Sequence, residues 1–379
     1  MTGEPDVPER SDLGRRRYPR AIGAYLRAST RLRTAYLRAL PEPLLTRLDP
    51  PLRRVLMGAR RAAALPFYLR QRLSDWTGRC DGVDTRIALW GKPGSPRQIL
   101  DLFFDGERSG AWRAPVALPR LLRDLDRTGS DADLVLAETT PALADVFARR
   151  GFLIVPARMR AGAEVATLRA TIARPSSSLA SDLARIRRTG YRTAIWPYTR
   201  ARSEFAYHRY LALHADVRFG PASILSEFAV IDRLYAAGFV VTVTRPGRDE
   251  PDALGLVVPR GRLLWFVVLG TRDGMPDVLS AGGLAALYAA VIDVAHERGM
   301  QRIDAGCCRP WRTDGILRFK WKWGFRPILD GNQTLEYAVR VRRPESAAAR
   351  RLAASGVVVR EGSRFVVMAP DGRLLPAGC

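Results

Sequence analysis

The segment 297–327, which reads ERGMQRIDAGCCRPWRTDGILRFKWKWGFRP, concentrates side chains that can support group-transfer chemistry. It contains Lys320 and Lys322, two of the three lysines in a chain that otherwise uses arginine. An ammonium group at Lys320 could bind phosphate, or could stabilise the oxyanion that forms when an amine attacks an ester or thioester. Lys320 is therefore the first catalytic candidate, and a solvent-facing lysine on a helix is the alternative.

Two carboxylates in the same segment are candidates for proton transfer and substrate orientation. Asp304 stands at the carboxyl end of a predicted strand, 302–305, where α/β proteins commonly build their sites. It could accept a proton from the attacking amine, directly or through water, or it could bind the amides of the following loop. Asp314 opens a predicted helix, 314–323, so it is either the N-cap of that helix or a group that orients the acceptor amine.

The loop between these carboxylates carries arginine, tryptophan and cysteine. Arg309 and Arg312 could form a phosphate-binding rim, and Trp311 could border a substrate cleft or pack in the core. The adjacent thiols of Cys307 and Cys308 cannot form an unstrained disulfide with each other. A nucleophilic role for either would need a neighbouring base, so structural thiols are the simpler interpretation.

The predicted elements over 176–345 can place these residues along one edge of a sheet. Apolar periodicity predicts helix, strand, two helices, three consecutive strands, and then helix, strand, helix and strand. The predicted helices are 178–188, 203–216, 225–237, 282–298 and 314–323, and the predicted strands are 191–196, 239–244, 253–258, 262–270, 302–305 and 335–341.

A second, weaker α/β pattern precedes this one, and a hairpin follows it. Strands are predicted at 85–90, 133–137, 152–155 and 168–172, with a helix at 140–150 and a Pro-Ser linker at 175–178. Beyond residue 345 the pattern predicts one hairpin, 356–359 with 364–367.

The element order and the residues of segment 297–327 together resemble the GNAT superfamily, in its FemAB-like and BioF2-like branch. In those proteins a helix ending in Arg-Gly leads to a strand with Asp and Gly, a loop, and a D-G-(x)n-F-K-x-x-(W/F)-G motif. The matching residues here are Arg298-Gly299, Asp304, Gly306, Arg309-Pro310, Asp314-Gly315, Phe319-Lys320 and Trp323-Gly324. The upstream helix DLARIRRTG (182–190) is also similar to a basic helix that recurs in these families.

The resemblance implies an α/β (α+β) fold with a GNAT-like mixed sheet flanked by helices, in two tandem halves. The expected division is a basic, partly disordered helical extension (1–80), a degenerate GNAT-like half (81–175), an acyltransferase domain (176–345) and a C-terminal tail with a hairpin (346–379). The implied activity is N-acyl transfer, acetyl among the candidate groups, from an activated donor such as acyl-CoA to an amine. The implied acceptor is a small molecule or a cell-envelope precursor.

The donor site implied by the resemblance is a loop at a helix start, where unpaired amides can hold a pyrophosphate. The equivalent loop here is GTRDGMPDVLSAGG, with Arg272, Ser280 as a cap, and Gly282 and Gly283 as candidate cofactor-binding residues. Its spacing departs from the family's Arg/Gln-x-x-Gly-x-Gly/Ala pattern, which leaves an aminoacyl-tRNA or carrier-bound donor open beside acyl-CoA. The third hypothesis is a non-catalytic GNAT-like binding module at a membrane surface.

The formal charge of +23 allows two interpretations. It could reflect a genome whose codons favour arginine, or it could mark an anionic partner such as tRNA or phospholipid. Residues 1–80 alone hold 17 arginines and seven acidic residues, a net charge of +10. Within them, 21–40 is predicted to be a basic amphipathic helix that binds an anionic membrane surface or RNA, or that packs on the body of the protein.

Targeting and redox signals favour a cytoplasmic protein, with the inner face of the membrane as a peripheral location. The N-terminal sequence lacks a signal-peptide pattern, and the longest apolar stretch, 282–295, is too short to span a bilayer and contains Asp293. The four cysteines form no CxxC pattern. The three histidines, His208, His214 and His296, are scattered, so no metal site is expected.

Overall fold

The computed structural model of the chain describes residues 65–92, 99–124, 131–219, 225–329 and 335–377. The chain divides into two compact units, Met1–Val55 and Leu56–Cys379. The predicted basic helix at 21–40 lies outside the described residues.

The described part of the second unit is a mixed α/β structure. Its strands are β1 Arg70–Cys80, β2 Val83–Gly91, β3 Arg108–Ala117, β4 Leu134–Thr139, β5 Leu153–Pro156, β6 Met159–Glu164, β7 Arg192–Trp196, β8 Phe239–Thr244, β9 Ala253–Arg260, β10 Leu263–Thr271, β11 Arg302–Cys308, β12 Arg326–Ile328, β13 Glu336–Val341, β14 Val358–Glu361, β15 Arg364–Met368 and β16 Leu374–Pro376. Its α-helices are α1 Pro66–Leu69, α2 Leu118–Arg123, α3 Pro141–Ala148, α4 Val165–Ala173, α5 Ser177–Thr189, α6 Arg200–Ala206, α7 Leu213–Phe219, α8 Phe228–Ala236, α9 Pro276–Ser280, α10 Gly283–Glu297, α11 Gly315–Lys322 and α12 Ala347–Ala354. A π-helical turn, Tyr207–Ala212, joins α6 to α7.

Two large sheets form the two halves of this unit. The first has the order β3-β1-β2-β4-β13-β5, and the second has the order β12-β6-β11-β10-β9-β8-β7. Each sheet contains one parallel pair, β2 with β4 and β10 with β11, and all its other pairs are antiparallel. Helices flank both sheets, so the predicted α/β fold of two tandem halves is confirmed.

The two halves exchange a strand. β6 follows β5 of the first sheet but pairs with β11 and β12 of the second. Reciprocally, β13 follows β12 of the second sheet but pairs with β4 and β5 of the first. Each exchanged strand occupies the same place, next to the second strand of the parallel pair. Neither sheet is therefore complete within one continuous stretch of chain.

Because of this strand exchange, the domain boundaries expected at residues 80, 175 and 345 do not coincide with the limits of the two sheets. Arg70–Cys80 is a strand of the first sheet rather than part of a helical extension. β6 and α4 lie before residue 175 but belong to the second sheet and its core, whereas β13 lies before residue 345 but belongs to the first sheet. The pairing partners of an exchanged strand are distant in sequence, so local patterns cannot identify them.

The second sheet has a separate apolar core on each of its faces. One core contains α10, whose apolar side chains face Leu264 and Phe266 of β10 and Ile303 and Ala305 of β11. The core on the opposite face is formed by the segment from α6 to α8 together with alternate side chains of β8, β9 and β10, including Trp265. The period-two alternation along β10 thus assigns its residues to two different cores.

The C-terminal tail is a core element rather than a peripheral appendage. The predicted hairpin is confirmed as β14 and β15, and β16 extends it to three strands. Val358 and Val367 pack in the core of the second half, whereas Val357 and Val366 pack in the core of the first. The small sheet therefore contributes side chains to both halves.

Several predicted elements change type or were missed. The strand predicted at 168–172 was wrong, because this segment lies within helix α4. The strands β1, β3, β6, β12 and β16 and the helices α1, α2, α9 and α12 were not predicted; the sequence of β6, MRAGAE, lacks the apolar alternation that indicates a strand. The remaining predicted helices and strands that fall on described residues are confirmed within a few residues at their ends.

Candidate functional site

The second sheet divides between β10 and β11. These strands pair in parallel only over Leu263–Trp265 and Arg302–Asp304, although β10 continues to Thr271 and β11 to Cys308. β10 stays paired with β9 to Thr271, with a register shift between Phe266 and Val268. β11 pairs with β6 again at Cys307 and Cys308, after a register shift between Asp304 and Cys307. The two strands are therefore no longer paired with each other towards their carboxyl ends, and we call the space between these ends the β10–β11 gap.

Gly306 marks the point where the gap begins. Its φ is +76°, and a Cβ at this position would lie 3.2 Å from the carbonyl oxygen of Phe266 on β10. Glycine is therefore required here both for its left-handed backbone and for its close approach to β10. Beyond it, Cys307 on β11 is exposed and Val267, Val268 and Leu269 on β10 are half-buried, so the walls of the gap reach solvent.

Lys320 lies directly behind this end of β11. It is 3% exposed, and its Nζ donates hydrogen bonds to the carbonyl oxygens of Gly306 and Cys307, each at 3.0 Å. Burial lowers the pKa of Lys320 from its ordinary value. The alternative of a solvent-facing lysine is excluded, and the ammonium group holds the backbone of β11 at the edge of the gap.

Lys322 has a similar structural position on the same helix. Its ammonium group is paired with the buried carboxylate of Asp182 on α5. The two lysines of α11 therefore connect that helix to β11 and to α5.

Asp304 is held in an ion pair on the face of the sheet opposite α10. Its Oδ2 accepts a hydrogen bond from Nε of Arg160 at 2.7 Å, and its Oδ1 accepts one from the amide of Gly306 at 2.9 Å. Trp265, directly opposite Asp304 on β10, lies below the guanidinium groups of Arg160 and Arg260. The carboxylate therefore positions both the exchanged strand β6 and the turn at Gly306.

Asp314 is the N-cap of α11. Its Oδ1 accepts hydrogen bonds from the amides of Ile316 and Leu317, both at 3.0 Å. These bonds satisfy two of the amides that a helix start leaves without an intrahelical partner. The structure thus gives Asp314 the capping role, and α11 positions Lys320.

The start of α10 differs from the cap expected at Ser280. Ser280 is the last residue of α9, and its hydroxyl donates to the carbonyl oxygen of Asp277. The N-cap of α10 is Gly282, whose φ of +87° favours glycine over serine. The prediction of Ser280 as cap was therefore wrong, while Gly282 and Gly283 do open the helix. The amides of residues 283–285 precede the first intrahelical bond and can bind an anion.

Arg185 of α5 lies over this helix start. A Cβ at Gly282 would be 3.1 Å from Cδ of Arg185, and the nearest carboxylate recorded for its guanidinium, Asp182, is 3.8 Å away. A cation beside the positive end of a helix dipole is unfavourable by itself and becomes favourable when an anion lies between them. Arg185 was not predicted as a site residue, although it lies within the basic helix singled out in the sequence.

A buried polar network supports the loop between β10 and α10. Nη2 of Arg245 donates to Asp252 at 2.8 Å and to Asp277 at 2.9 Å. Arg272 was predicted to bind the cofactor; its guanidinium instead faces Asp252, at 4.0 Å, and its side chain is largely buried. The hydroxyl of Tyr191 lies near these groups without a hydrogen bond to them, and burial together with Asp252 and Asp277 raises its pKa to about 12. The network fixes the α9–α10 turn.

A second buried pair lies at the carboxyl end of β10. Nδ1 of His214 is 2.9 Å from Oγ1 of Thr271, and both side chains are buried. Burial, with a smaller effect of Arg218, lowers the pKa of His214 to about 4, so the imidazole is neutral at neutral pH. The π-helical turn before α7 also packs tightly here, since a Cβ at Gly270 would lie 2.5 Å from the carbonyl oxygen of Tyr210.

The residues predicted to form the substrate rim divide between surface and core. Arg309 is partly exposed and lies 3.5 Å from Asp101 of the first half. Arg312 is exposed, and its guanidinium lies over Trp321 at 5.5 Å. Trp311 is 5% exposed and packs in the core of the first half, so it does not border a cleft. Cys308 is buried, and burial raises the pKa of its thiol to about 11, which disfavours a nucleophilic thiolate.

The structure thus brings Asp304, Gly306, Cys307 and Lys320 together at one end of β11, and it places Gly282 and Gly283 at the start of α10. An open cleft lies elsewhere, with a volume of about 800 Å³ and a lining of mixed charge around the amino ends of β2 and β4. It contains none of the predicted site residues. The β10–β11 gap is the better candidate for a ligand site, because backbone divergence and buried polar groups coincide there.

The residues that the structure describes contain neither a metal-ligand cluster nor a membrane-spanning helix. No group of three or more His, Cys, Asp or Glu side chains in this part of the chain could hold a metal ion. Among the same residues, every helix is too short or too polar to cross a membrane.

Comparison with known proteins identifies similar folds only. No family model matches the sequence, and no curated protein matches it. Among solved structures the chain is similar to L-PGS from Bacillus licheniformis, with 12% identity, a TM-score of 0.35, and coverage of 83% of this chain and 98% of that one. It is also similar to FemX (9% identity, TM-score 0.37, covering 71% and 84%) and to a tandem GNAT protein from the clavulanic acid biosynthesis pathway (13%, 0.30, covering 77% and 88%). At these identities and TM-scores, the similarities decide neither the chemistry nor the substrates of this chain.

Proposed function

We propose that this protein is an N-acyltransferase that binds an activated acyl donor, such as acyl-CoA, in the β10–β11 gap and transfers the acyl group to an amine. The observation that carries the proposal is the divergence of β10 from β11 after only three paired residues on each strand. Unpaired backbone groups along a strand edge can bind an extended ligand by strand-like hydrogen bonds. A ligand in the gap would leave its reactive end near Gly306 and Cys307.

The start of α10 is the proposed site for the anionic part of the donor. β10 leads through the α9–α10 turn to this helix, so a donor lying along β10 would reach its amides. Arg185 supplies a cation at the same place, and the network of Arg245, Asp252 and Asp277 keeps the turn in position. Helix amides and a guanidinium group together are suited to a phosphate or pyrophosphate.

Catalysis in this proposal depends on positioning. The structure offers no reason to assign proton transfer to Asp304, since its carboxylate accepts hydrogen bonds from Arg160 and from the amide of Gly306. Lys320 holds the carbonyl groups of Gly306 and Cys307 and so fixes the β11 wall of the gap. Holding donor and amine in a reactive geometry accelerates amine acylation by itself.

Thermal unfolding in the presence of acetyl-CoA, longer acyl-CoAs or aminoacyl-tRNA tests the donor class. A donor that binds the folded chain raises its Tm with concentration. We expect protection by an acyl-CoA that is weakened by Arg185→Gln and unchanged by Arg187→Gln, an exposed arginine on the same helix. Salt-sensitive binding of aminoacyl-tRNA without protection by any acyl-CoA would instead indicate a tRNA-dependent transferase. The absence of any donor effect, with binding of residues 21–40 to anionic vesicles, would indicate a non-catalytic membrane module.

A further inference from the structure

Arg158 and Arg309 lie close to each other where the two halves of the protein meet. β11 and the exchanged strand β6 pair antiparallel, with Cys307 opposite Arg160 and Cys308 opposite Met159. Arg309 directly follows β11 and Arg158 directly precedes β6, so each arginine adjoins this last residue pair. The exchange of strands therefore brings two arginines together at the end of β11 that borders the β10–β11 gap.

Both arginines lie at the border between the two halves. The residues next to them, Met159 and Cys308, are buried in the core of the second half. Arg158 is half-buried and interacts electrostatically with Cys307, Arg309 and Tyr337. Arg309 lies 3.5 Å from Asp101 of the first half.

The pair lacks sufficient negative charge from the protein. Among the described residues, Arg158 has no hydrogen bond or ion pair, and Arg309 has only Asp101, which Arg108 also binds at 2.8 Å. Arg160 has Asp304 as its partner, but Arg158 has no equivalent carboxylate. Like charges close to each other are destabilising, and partial burial increases the cost.

We infer that Arg158 and Arg309 bind a phosphate group of the substrate that receives the acyl group. Two guanidinium groups can hold one phosphate through paired N–H donors, and its charge removes their mutual repulsion. The position next to Cys307 would hold such an acceptor at the end of the gap where the activated carbonyl is proposed to lie. The inference rests on the proposed transferase function for the identity of the ligand as acceptor, but the anion site itself can be tested without any donor.

The test measures protection of the full-length protein by inorganic phosphate against thermal unfolding at constant ionic strength. Wild-type protein is compared with Arg158→Gln, Arg309→Gln and two controls. Arg302→Gln removes the same charge from the other end of β11, where the arginine is exposed and paired with Glu164. Arg185→Gln removes the cation at the proposed donor site. Acetate replaces phosphate in a parallel series.

The expected result is saturable protection by phosphate that weakens about tenfold or more in Arg158→Gln and Arg309→Gln and stays within about twofold in Arg302→Gln. Arg185→Gln should remove only the part of the protection that comes from phosphate bound at the start of α10. Without phosphate, the two test variants should be at least as stable as the wild type, because each substitution removes like-charge repulsion. The assignment would be overturned if protection were lost in Arg185→Gln alone, or lost equally in Arg302→Gln. It would also be overturned if acetate protected equally well, or if phosphate gave no saturable protection. A lower Tm of both test variants without phosphate would instead indicate a structural role. Because no acyl donor is present, a negative result here leaves the donor experiment unaffected.

Discussion

The ammonium group of Lys320 donates a hydrogen bond to the carbonyl oxygen of Gly306, at 3.0 Å, from beneath the edge of the β10–β11 gap. Gly306 has a left-handed backbone and almost touches β10, so its peptide cannot pair with that strand as a regular parallel neighbour. Lys320 supplies a hydrogen-bond donor where the sheet no longer does. Lys320, which the sequence predicted to be a catalytic group, therefore stabilises β11 at the point where it separates from β10.

Replacement of Lys320 by alanine should lower both stability and donor binding. The substitution leaves two buried carbonyl oxygens without their donor and creates a cavity, so the free energy of unfolding should fall by about 2–4 kcal/mol. Arg318→Ala, which removes an exposed cation from the same helix, should change it by less than about 0.5 kcal/mol. Urea unfolding measures the free energy of unfolding of both variants. A Lys320→Ala protein with full stability but no turnover would contradict the structural role and restore the catalytic one.

Replacement of Asp314 distinguishes a helix cap from a group that contacts substrate. Asp314→Ala should lower the free energy of unfolding by about 1 kcal/mol, because two amides of α11 lose their acceptor. Asp314→Ser keeps a capping oxygen but no carboxylate, so it should retain most of the stability and most of any transferase activity. If Asp314→Ser were stable and inactive, the carboxylate would have a role beyond the cap.

The contact between the π-helical turn and β10 makes a steric prediction at Gly270. Because a Cβ there would lie 2.5 Å from the backbone oxygen of Tyr210, Gly270→Ala should lower the free energy of unfolding by about 1–3 kcal/mol. The matched control is Gly315→Ala at the start of α11, where a Cβ has no neighbouring atom within 4 Å. Equal stability of the two variants would show that the π-helical turn and β10 do not pack this closely.

The buried pair of His214 and Thr271 predicts a dependence of stability on acid. The pKa of His214 is lowered to about 4 in the folded chain, so below its ordinary value of 6.5 the unfolded chain takes up a proton that the folded chain does not. The neutral, buried imidazole therefore contributes to the free energy of unfolding in full above pH 6.5. This contribution, about 3 kcal/mol in all, is lost as the pH falls towards 4. Urea unfolding between pH 7 and pH 4 should show a smaller loss for His214→Gln than for the wild type. His208→Gln, at an exposed position on the neighbouring turn, controls for removal of an imidazole. An unchanged pH dependence in His214→Gln would contradict the burial of the ring.

The fold was predictable where local patterns are strong. The amphipathic repeat of α10 and the consecutive strands β8, β9 and β10 follow from apolar periodicity, and both were predicted. The strand exchange was not predictable, because β6 carries little alternation and its partner β11 lies far along the chain. The ion pair of Arg160 with Asp304, two residues 144 positions apart, depends on this exchange and was missed with it.

The candidate site was predictable at the level of position but less so at the level of roles. Asp304, Gly306, Asp314 and Lys320 do gather around β11 and α11, as the motif indicated. Their side chains, however, bind backbone groups and one arginine, and only the three-dimensional partners reveal this. Ser280 was preferred as the cap of α10 because serine favours that position, whereas a left-handed backbone at Gly282 decided it.

The most direct test of the proposed gap uses the thiol of Cys307. It is exposed at the end of β11, whereas Cys80 and Cys308 are buried. Alkylation of the peptide containing Cys307, followed by mass spectrometry, reports the accessibility of this edge alone. We predict that a donor which raises the Tm of the protein slows alkylation of Cys307 several-fold, with the same concentration dependence as the shift in Tm. A donor that stabilises the protein while Cys307 reacts at its original rate would show that the donor binds elsewhere and would contradict the assignment of the gap.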